Sequence, residues 1–176
     1  MRLSACLLPL CCLVSCTGYH LGGAKPASLA KVHSIAVTMF DNATLHPRAE
    51  AIATSAVTSA LVQDGTYRLA SKDRADAVLE GKLSEIKYSV LRNTRSDVQH
   101  PEELANTVTI RWKLLDAKDP TKTLASGSSS GTSQFYVSEN LQTARNNGLP
   151  DALEQAGEAL VSRLSNGYWW HTAGLV

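Results

Sequence analysis

The run Gly127-Ser128-Ser129-Ser130-Gly131 has the G-x-S-x-G form of a nucleophile elbow, and Asp151 and His171 follow it in the order of a hydrolase triad. That chemistry needs the serine on a sharp turn between a strand and a helix, with its hydroxyl exposed to a base. Here the motif lies within a serine- and glycine-rich stretch that reads as a strand or hairpin, so a polar strand is expected and an enzyme is not. The histidines, His20, His33, His46, His100 and His171, include no pair four residues apart, so neither a zinc site nor any other metal or cofactor site is expected. Glu102 and Glu103 are adjacent carboxylates in a polar stretch and read as solvated.

Cys16 carries a different chemistry. It closes the run Leu13-Val14-Ser15-Cys16, directly after an apolar segment near Met1 and Arg2. This arrangement resembles a bacterial lipoprotein signal, in which the cysteine thiol is diacylated and the chain is cut before it. The apolar segment is about a dozen residues long, short of the ~20 that span a bilayer. The small Ser15 suits a peptidase pocket. An ordinary secretory signal or an uncut anchor is the alternative. By resemblance to the sorting rule of such lipoproteins, Thr17, in place of Asp, favours the outer membrane. Residues 1–15 are thus expected to be a removed signal peptide, with membrane attachment through Cys16.

All four cysteines, Cys6, Cys11, Cys12 and Cys16, lie at or before that cut. The rest of the chain would hold no disulfide and no thiolate ligand, and must fold on its apolar core alone. Without Arg2, sixteen basic residues face sixteen acidic ones. A balance near zero argues against a general nucleic-acid binder. About 160 residues suit one domain.

Residues 16–30 contain Gly22, Gly23 and Pro26 and read as a lipidated N-terminus and tether. A strand is predicted over 32–40, then a turn-like segment over 41–47. Ala49, Ile52, Ala53, Ala56, Val57, Ala60 and Leu61 recur with helical period, with Pro47 in the first turn and Gly65 as a C-terminal cap. A short edge strand fits residues 67–69. Over 77–91 the apolar phase slips at Ser84-Glu85, from Leu79, Gly81 and Leu83 to Ile86, Tyr88 and Val90. A β-bulge restores both sets to one face, and a strand that changes covering layer is the competing explanation. Residues 93–104 read as a polar loop with Pro101. Residues 107–115 alternate strictly, with Val108, Ile110, Trp112 and Leu114 on one side and Arg111 and Lys113 on the other. After an Asp119-Pro120 turn, a strand over 123–137, polar in its middle, reads as an edge or a half-exposed strand. A second helix carries Leu149, Ala152, Leu153, Ala156, Leu160, Val161 and Leu164, with Pro150 in its first turn. The aromatic run Tyr168-Trp169-Trp170-His171 either plugs the core or docks on a partner.

Two apolar helix stripes and one apolar sheet face are satisfied together by an α+β fold. The expected architecture is a two-layer sandwich, a four-stranded mixed sheet with two helices packed on one face, formed by a single domain over residues 31–176.

Several runs resemble the LptE family of lipopolysaccharide-assembly lipoproteins. They are Gly18-Tyr19-His20-Leu21-Gly22-Gly23 after the cysteine, Ile35-Ala36-Val37, Phe40-Asp41-Asn42-Ala43-Thr44, Asp64-Gly65-Thr66-Tyr67-Arg68-Leu69, and Ala75-Asp76-Ala77-Val78-Leu79-Glu80-Gly81. The likeness covers nearly all of the chain after Cys16, with order and spacing as its specific part. The family fold, a four-stranded sheet with two helices on one side, is the one that periodicity implies. The resemblance implies a non-enzymatic lipoprotein in the outer membrane, facing the periplasm or a barrel lumen. Such a protein plugs an LptD-type β-barrel, supports its assembly and binds lipopolysaccharide. Lipid phosphates call for lysine and arginine. The candidates are Lys82, Lys87, Arg92, Arg95, Arg111 and Lys113, which also fit an ordinary solvated sheet face. The runner-up function is a periplasm-facing lipoprotein that activates a cell-wall synthase or belongs to a secretion complex.

Overall fold

Apolar side chains that recur with two different periods need a common surface to bury against, and here the surface is one face of a sheet. The computed structural model describes residues 25–94, 97–137 and 140–167. Its elements are β1 (Ser34–Val37), β2 (Asp41–Asn42), α1 (Ala49–Asp64), β3 (Arg68–Leu69), β4 (Ala77–Thr94), β5 (Asp97–Asp116), β6 (Thr123–Tyr136) and α2 (Leu141–Asn166). The sheet order is β3-β1-β4-β5-β6, and β2 pairs with β4 off this path. β1 is parallel to β3 and β4, whereas β4, β5 and β6 form an antiparallel meander. The α+β two-layer architecture is the expected one. Among the described residues the sheet has six strands rather than four, because the two-residue β2 and β3 add to it. β2 falls where a turn was expected.

The inner face of the sheet carries Leu79, Leu83, Val108, Ile110, Trp112 and Leu114, all buried. Against it, α1 sets Ala53, Val57 and Leu61, and α2 sets Leu149, Leu153, Leu160 and Leu164. Each large apolar side chain among them contributes roughly 1.5–3 kcal/mol on leaving water. Trp112 also satisfies its one polar atom, since Nε1 donates to Ser129 Oγ at 3.2 Å. The phase slip in β4 is a bulge. Leu83 pairs with Ile110 and Glu85 with Thr109, while Ser84 stands between them and donates from Oγ to the Thr109 carbonyl at 3.0 Å. The extra residue returns Ile86 to the core side, where it packs against the inner cluster.

Several boundaries differ from expectation. β1 is confined to Ser34–Val37 rather than 32–40, and Pro47 precedes α1, whose N-cap is Arg48, rather than lying in its first turn. The polar stretch 93–104 is not a loop but the far end of the β4–β5 ribbon. Arg92 lies opposite Glu103, Asn93 opposite Pro101 and Thr94 opposite Asp97, with a register shift at each step. Proline is tolerated in a strand at such irregular positions. Pro150 is inside α2 rather than in its first turn. The true N-cap is Asn140, whose side chain accepts from the backbone of Gln142 and Thr143 at 2.9 and 3.1 Å. Asn146, Asn147 and Gly148 are weak helix formers and hid this beginning. Finally, Leu29, at the end of the expected tether, is fully buried in a single 3-10 turn, Ala27–Leu29. The folded unit therefore includes residues 25–30. Cys16, the signal segment and the aromatic run from Tyr168 lie outside the described residues.

Tyr67 closes the end of the core near Lys25. Its hydroxyl donates to the Leu164 carbonyl at 3.1 Å, and the Lys25 ammonium lies 4.9 Å from its ring centre. Burial, and secondarily the negative charge of Asp64, push its phenol up to about 12. A phenol raised in the folded state contributes stability that is complete below its ordinary value of 10.0 and is lost as pH climbs towards 12. In alkaline unfolding titrations, Tyr67→Phe should abolish most of the stability loss between these values, while costing ~1 kcal/mol at neutral pH for the missing hydrogen bond.

The strand phase is testable by truncation. Trp112→Ala should cost ~3–5 kcal/mol and lower the melting temperature sharply. Arg111→Ala, on the opposite face, should stay within ~0.5 kcal/mol. Equal effects would mean that the two faces have been interchanged.

Candidate functional site

Strand alternation that buries Trp112 must turn Arg111 and Lys113 to the other face. Pairing then extends the pattern across four strands. Asp41 on β2 lies beside Lys82 on β4, Lys82 lies opposite Arg111 on β5, and Arg111 lies opposite Ser128 on β6. One step along, Glu80 lies opposite Lys113, and Lys113 opposite Ser126. These two rows line an outer-face groove of about 630 Å³ with Arg163 at its margin. Four cations therefore share it with two carboxylates. Among the described residues, none of the four has a carboxylate oxygen within 4.0 Å.

The pairing of Lys82 with Arg111 is unfavourable in itself. Like charges directly opposite on a sheet destabilise it, whereas Glu80 opposite Lys113 is a favourable pair. Asp41 offsets part of the repulsion from the other side of Lys82. An anion placed between the two cations would offset the rest, and a lysine and an arginine can both bond to phosphate or carboxylate oxygens.

The structure divides the six basic candidates. Lys82, Arg111 and Lys113 converge on the groove. Lys87 lies beyond the Ser84 bulge, opposite Thr107, and does not line it. Arg92 is already engaged, with Nη2 3.4 Å from Glu103 Oε2. Arg95 lies outside the described residues. Arg163 was missed by sequence reasoning. It stands in the last turns of α2, and its Nη1 donates to the Ser128 carbonyl on the free edge of β6 at 2.7 Å. In sequence it reads only as a favourable charge at a helix C-terminus.

The serine motif has a structural account. Residues 127–131 are in the middle of β6 and not at a strand-to-helix turn. Ser129 is buried and accepts the Trp112 N–H, while Ser128 and Ser130 point outward. A Cβ on Gly127 would lie 2.7 Å from the Trp112 ring, and one on Gly131 would meet the backbone of α2 at the Ala152 carbonyl and Ala156 nitrogen. The two glycines are thus where a ring and a helix come closest to the strand. Asp151 is exposed on α2 and His171 is outside the described residues. Among the described residues, no three metal-ligating side chains cluster, and no helix is long and apolar enough to cross a membrane.

No family model matches the chain, and no curated protein matches it. Solved structures do. A point variant of the PelC dodecamer from Paraburkholderia phytofirmans is 20% identical, covering 81% of this chain and 95% of that one, with a TM-score of 0.51. Protein XCC0632 from Xanthomonas campestris is 19% identical, covering 82% and 90%, with a TM-score of 0.52. The hypothetical protein CT253 from Chlamydia trachomatis is 9% identical, covering 76% and 96%, with a TM-score of 0.54. At such identities the likeness is one of fold. It extends over most of this chain and nearly all of each of those.

The glycine account makes a sharp expectation. Gly131→Ala must push α2 off the sheet and should cost the upper part of the ~1–3 kcal/mol typical of overpacking. Ser130→Ala should change thermal stability by less than ~0.5 kcal/mol. The reverse order in melting experiments would refute the contact.

Proposed function

We propose that this chain is a non-enzymatic lipoprotein of the outer membrane, anchored by an acylated Cys16. Its domain occupies the lumen of an LptD-type β-barrel, supports the assembly of that barrel and assists lipopolysaccharide on its way to the cell surface. The runs that resemble the LptE family support this reading. So does the domain itself, which closes one sheet face with helices and leaves the other polar, as a body within a polar barrel lumen requires. The observation that carries it is the groove in which Lys82 and Arg111 face each other, with Lys113 and Arg163 beside them. A lipid A head group bears phosphates that fit such a cluster.

The test has two parts. Extraction of the native lipoprotein in mild detergent should bring down a large β-barrel, and Cys16→Ser should lose outer-membrane fractionation. The combined change of Lys82, Arg111 and Lys113 to Gln should weaken lipopolysaccharide binding at least about tenfold, since each lost charged hydrogen bond costs ~1.5–3 kcal/mol. The difference should shrink with salt, which screens exposed charges over ~8–10 Å. Arg92→Gln should change little. Equal affinity of the folded triple variant would remove lipopolysaccharide from the proposal.

A second reading is favoured by one observation, the fold shared with PelC, a dodecamer. Under it the chain is a lipid-anchored subunit of a homo-oligomeric secretion complex. The mass of the detergent-extracted particle separates the two: a ring of this chain alone supports the second reading and sinks the first.

A further inference from the structure

Beyond the Ser84 bulge the inner face of the sheet turns polar. Tyr88 and, directly opposite it, the fully buried Asn106 interrupt the apolar layer. Tyr88 meets two elements there. Its ring stands edge-on to Phe135 of β6, with centres 6.5 Å apart, and the Arg145 guanidinium of α2 lies 4.7 Å from its own ring centre. The loop between β2 and α1 closes a third side. Asn42 orders that loop, donating to the His46 carbonyl and to Glu50 Oε2, both at 2.8 Å, and accepting from the Thr44 backbone and hydroxyl.

His46, Tyr88 and Arg145 line one cavity of about 360 Å³, whose apolar wall is Ala43, Leu45, Pro47 and Ile86. That volume is at the small end of ligand pockets, roughly 300–1,000 Å³. The polar side chains around it are poorly satisfied. Nδ1 and Nε2 of His46, the Tyr88 hydroxyl and Nε of Arg145 are buried and, among the described residues, have no hydrogen-bond partner. Such atoms are uncommon in folded proteins because burial has removed their water. Among the described residues, no carboxylate oxygen lies within 4.0 Å of Arg145. Burial holds the Tyr88 phenol above its ordinary value of 10.0, with the Arg145 charge opposing, so the hydroxyl is a donor at neutral pH.

A guanidinium, a phenol and an imidazole N–H share one need, an oxygen acceptor that carries negative charge. Arg145 is the one permanent cation on the cavity wall, and Glu85 lines it as well. One negative charge therefore suits the cavity better than two. The apolar wall suits a short hydrocarbon body, which would also cover Leu45, now fully exposed.

We propose that this cavity binds a small monocarboxylate with a short aliphatic chain, its carboxylate held by Arg145, Tyr88 and His46 after small rotations of these side chains. The site is on the helix side of the sheet, whereas the groove of Lys82 and Arg111 is on the outer face, and it does not depend on the barrel reading.

The purified protein is titrated by calorimetry with hexanoate, hexanamide and inorganic phosphate, and the histidine ring protons are followed by NMR. Hexanoate should bind and move the resonances of one histidine, the one that His46→Gln removes. Hexanamide, which lacks the charge, and phosphate should each bind at least about tenfold more weakly. Arg145→Gln should abolish the preference for hexanoate over hexanamide. Tyr88→Phe keeps the ring under Arg145 and removes only the hydroxyl, so it should weaken hexanoate several-fold without lowering the melting temperature. Changing Lys82, Arg111 and Lys113 together to Gln should leave hexanoate binding intact. Absence of binding up to about 10 mM hexanoate, equal affinity for hexanamide or phosphate, or full affinity in Arg145→Gln and Tyr88→Phe would overturn the proposal. So would loss of binding in the groove variant, or a lowered melting temperature in Tyr88→Phe, which would mean that the hydroxyl already has a partner.

Discussion

The close approach of α2 to β6 is the constraint on which the rest of the structure depends. Gly131 lets the helix backbone lie against the strand where any Cβ would collide with it. With α2 seated there, Leu149, Leu153, Leu160 and Leu164 reach the inner sheet face, and α1 packs against α2 to complete the layer. Trp112 fills the space beneath, lying against Gly127 and bonded to Ser129. A run of residues with the form of a catalytic motif is here a device for bringing a helix and an indole close to an edge strand.

Closing one face decides the chemistry of the other. Because strand alternation is strict over residues 107–115 of β5, each residue committed to the core there sends its neighbour to the outer face, and pairing with β4 and β6 lines these up in rows. Most of those rows hold what a solvated sheet should hold, small polar residues and opposite charges. The row through Lys82 and Arg111 does not. A pairing that weakens the sheet, at the centre of a groove and with two further cations at hand, is the place where the local rules of stability are broken, and such places are where binding is expected.

The ends of the described chain answer to a different constraint. Tyr67 joins the start of β3 to the end of α2 and, through Lys25, to the first described residues. Buried there, it prefers its neutral form, and it gathers the tether and the helix terminus at one corner.

Sequence alone determined the features that depend on periodicity and local stereochemistry. The buried faces of α1 and α2 and the inward set of β5 follow from apolar spacing, which is a property of neighbours in the chain, whereas the slip at Ser84 was legible only as a slip and the pairing with β5 made it a bulge. Apolar spacing placed Arg111 and Lys113 on one wet face for the same reason. Tertiary structure decided what depends on contacts between distant residues. It brought Arg163 to Ser128, turned Arg92 to Glu103, drew Leu29 into the core, and held the weak Gly148 turn of α2 against β6, where the Ser133 hydroxyl donates to the Gly148 carbonyl at 2.6 Å. In each of these the deciding partner lies far along the chain or on another element, and its energy outweighs the weak local preference that the sequence displays.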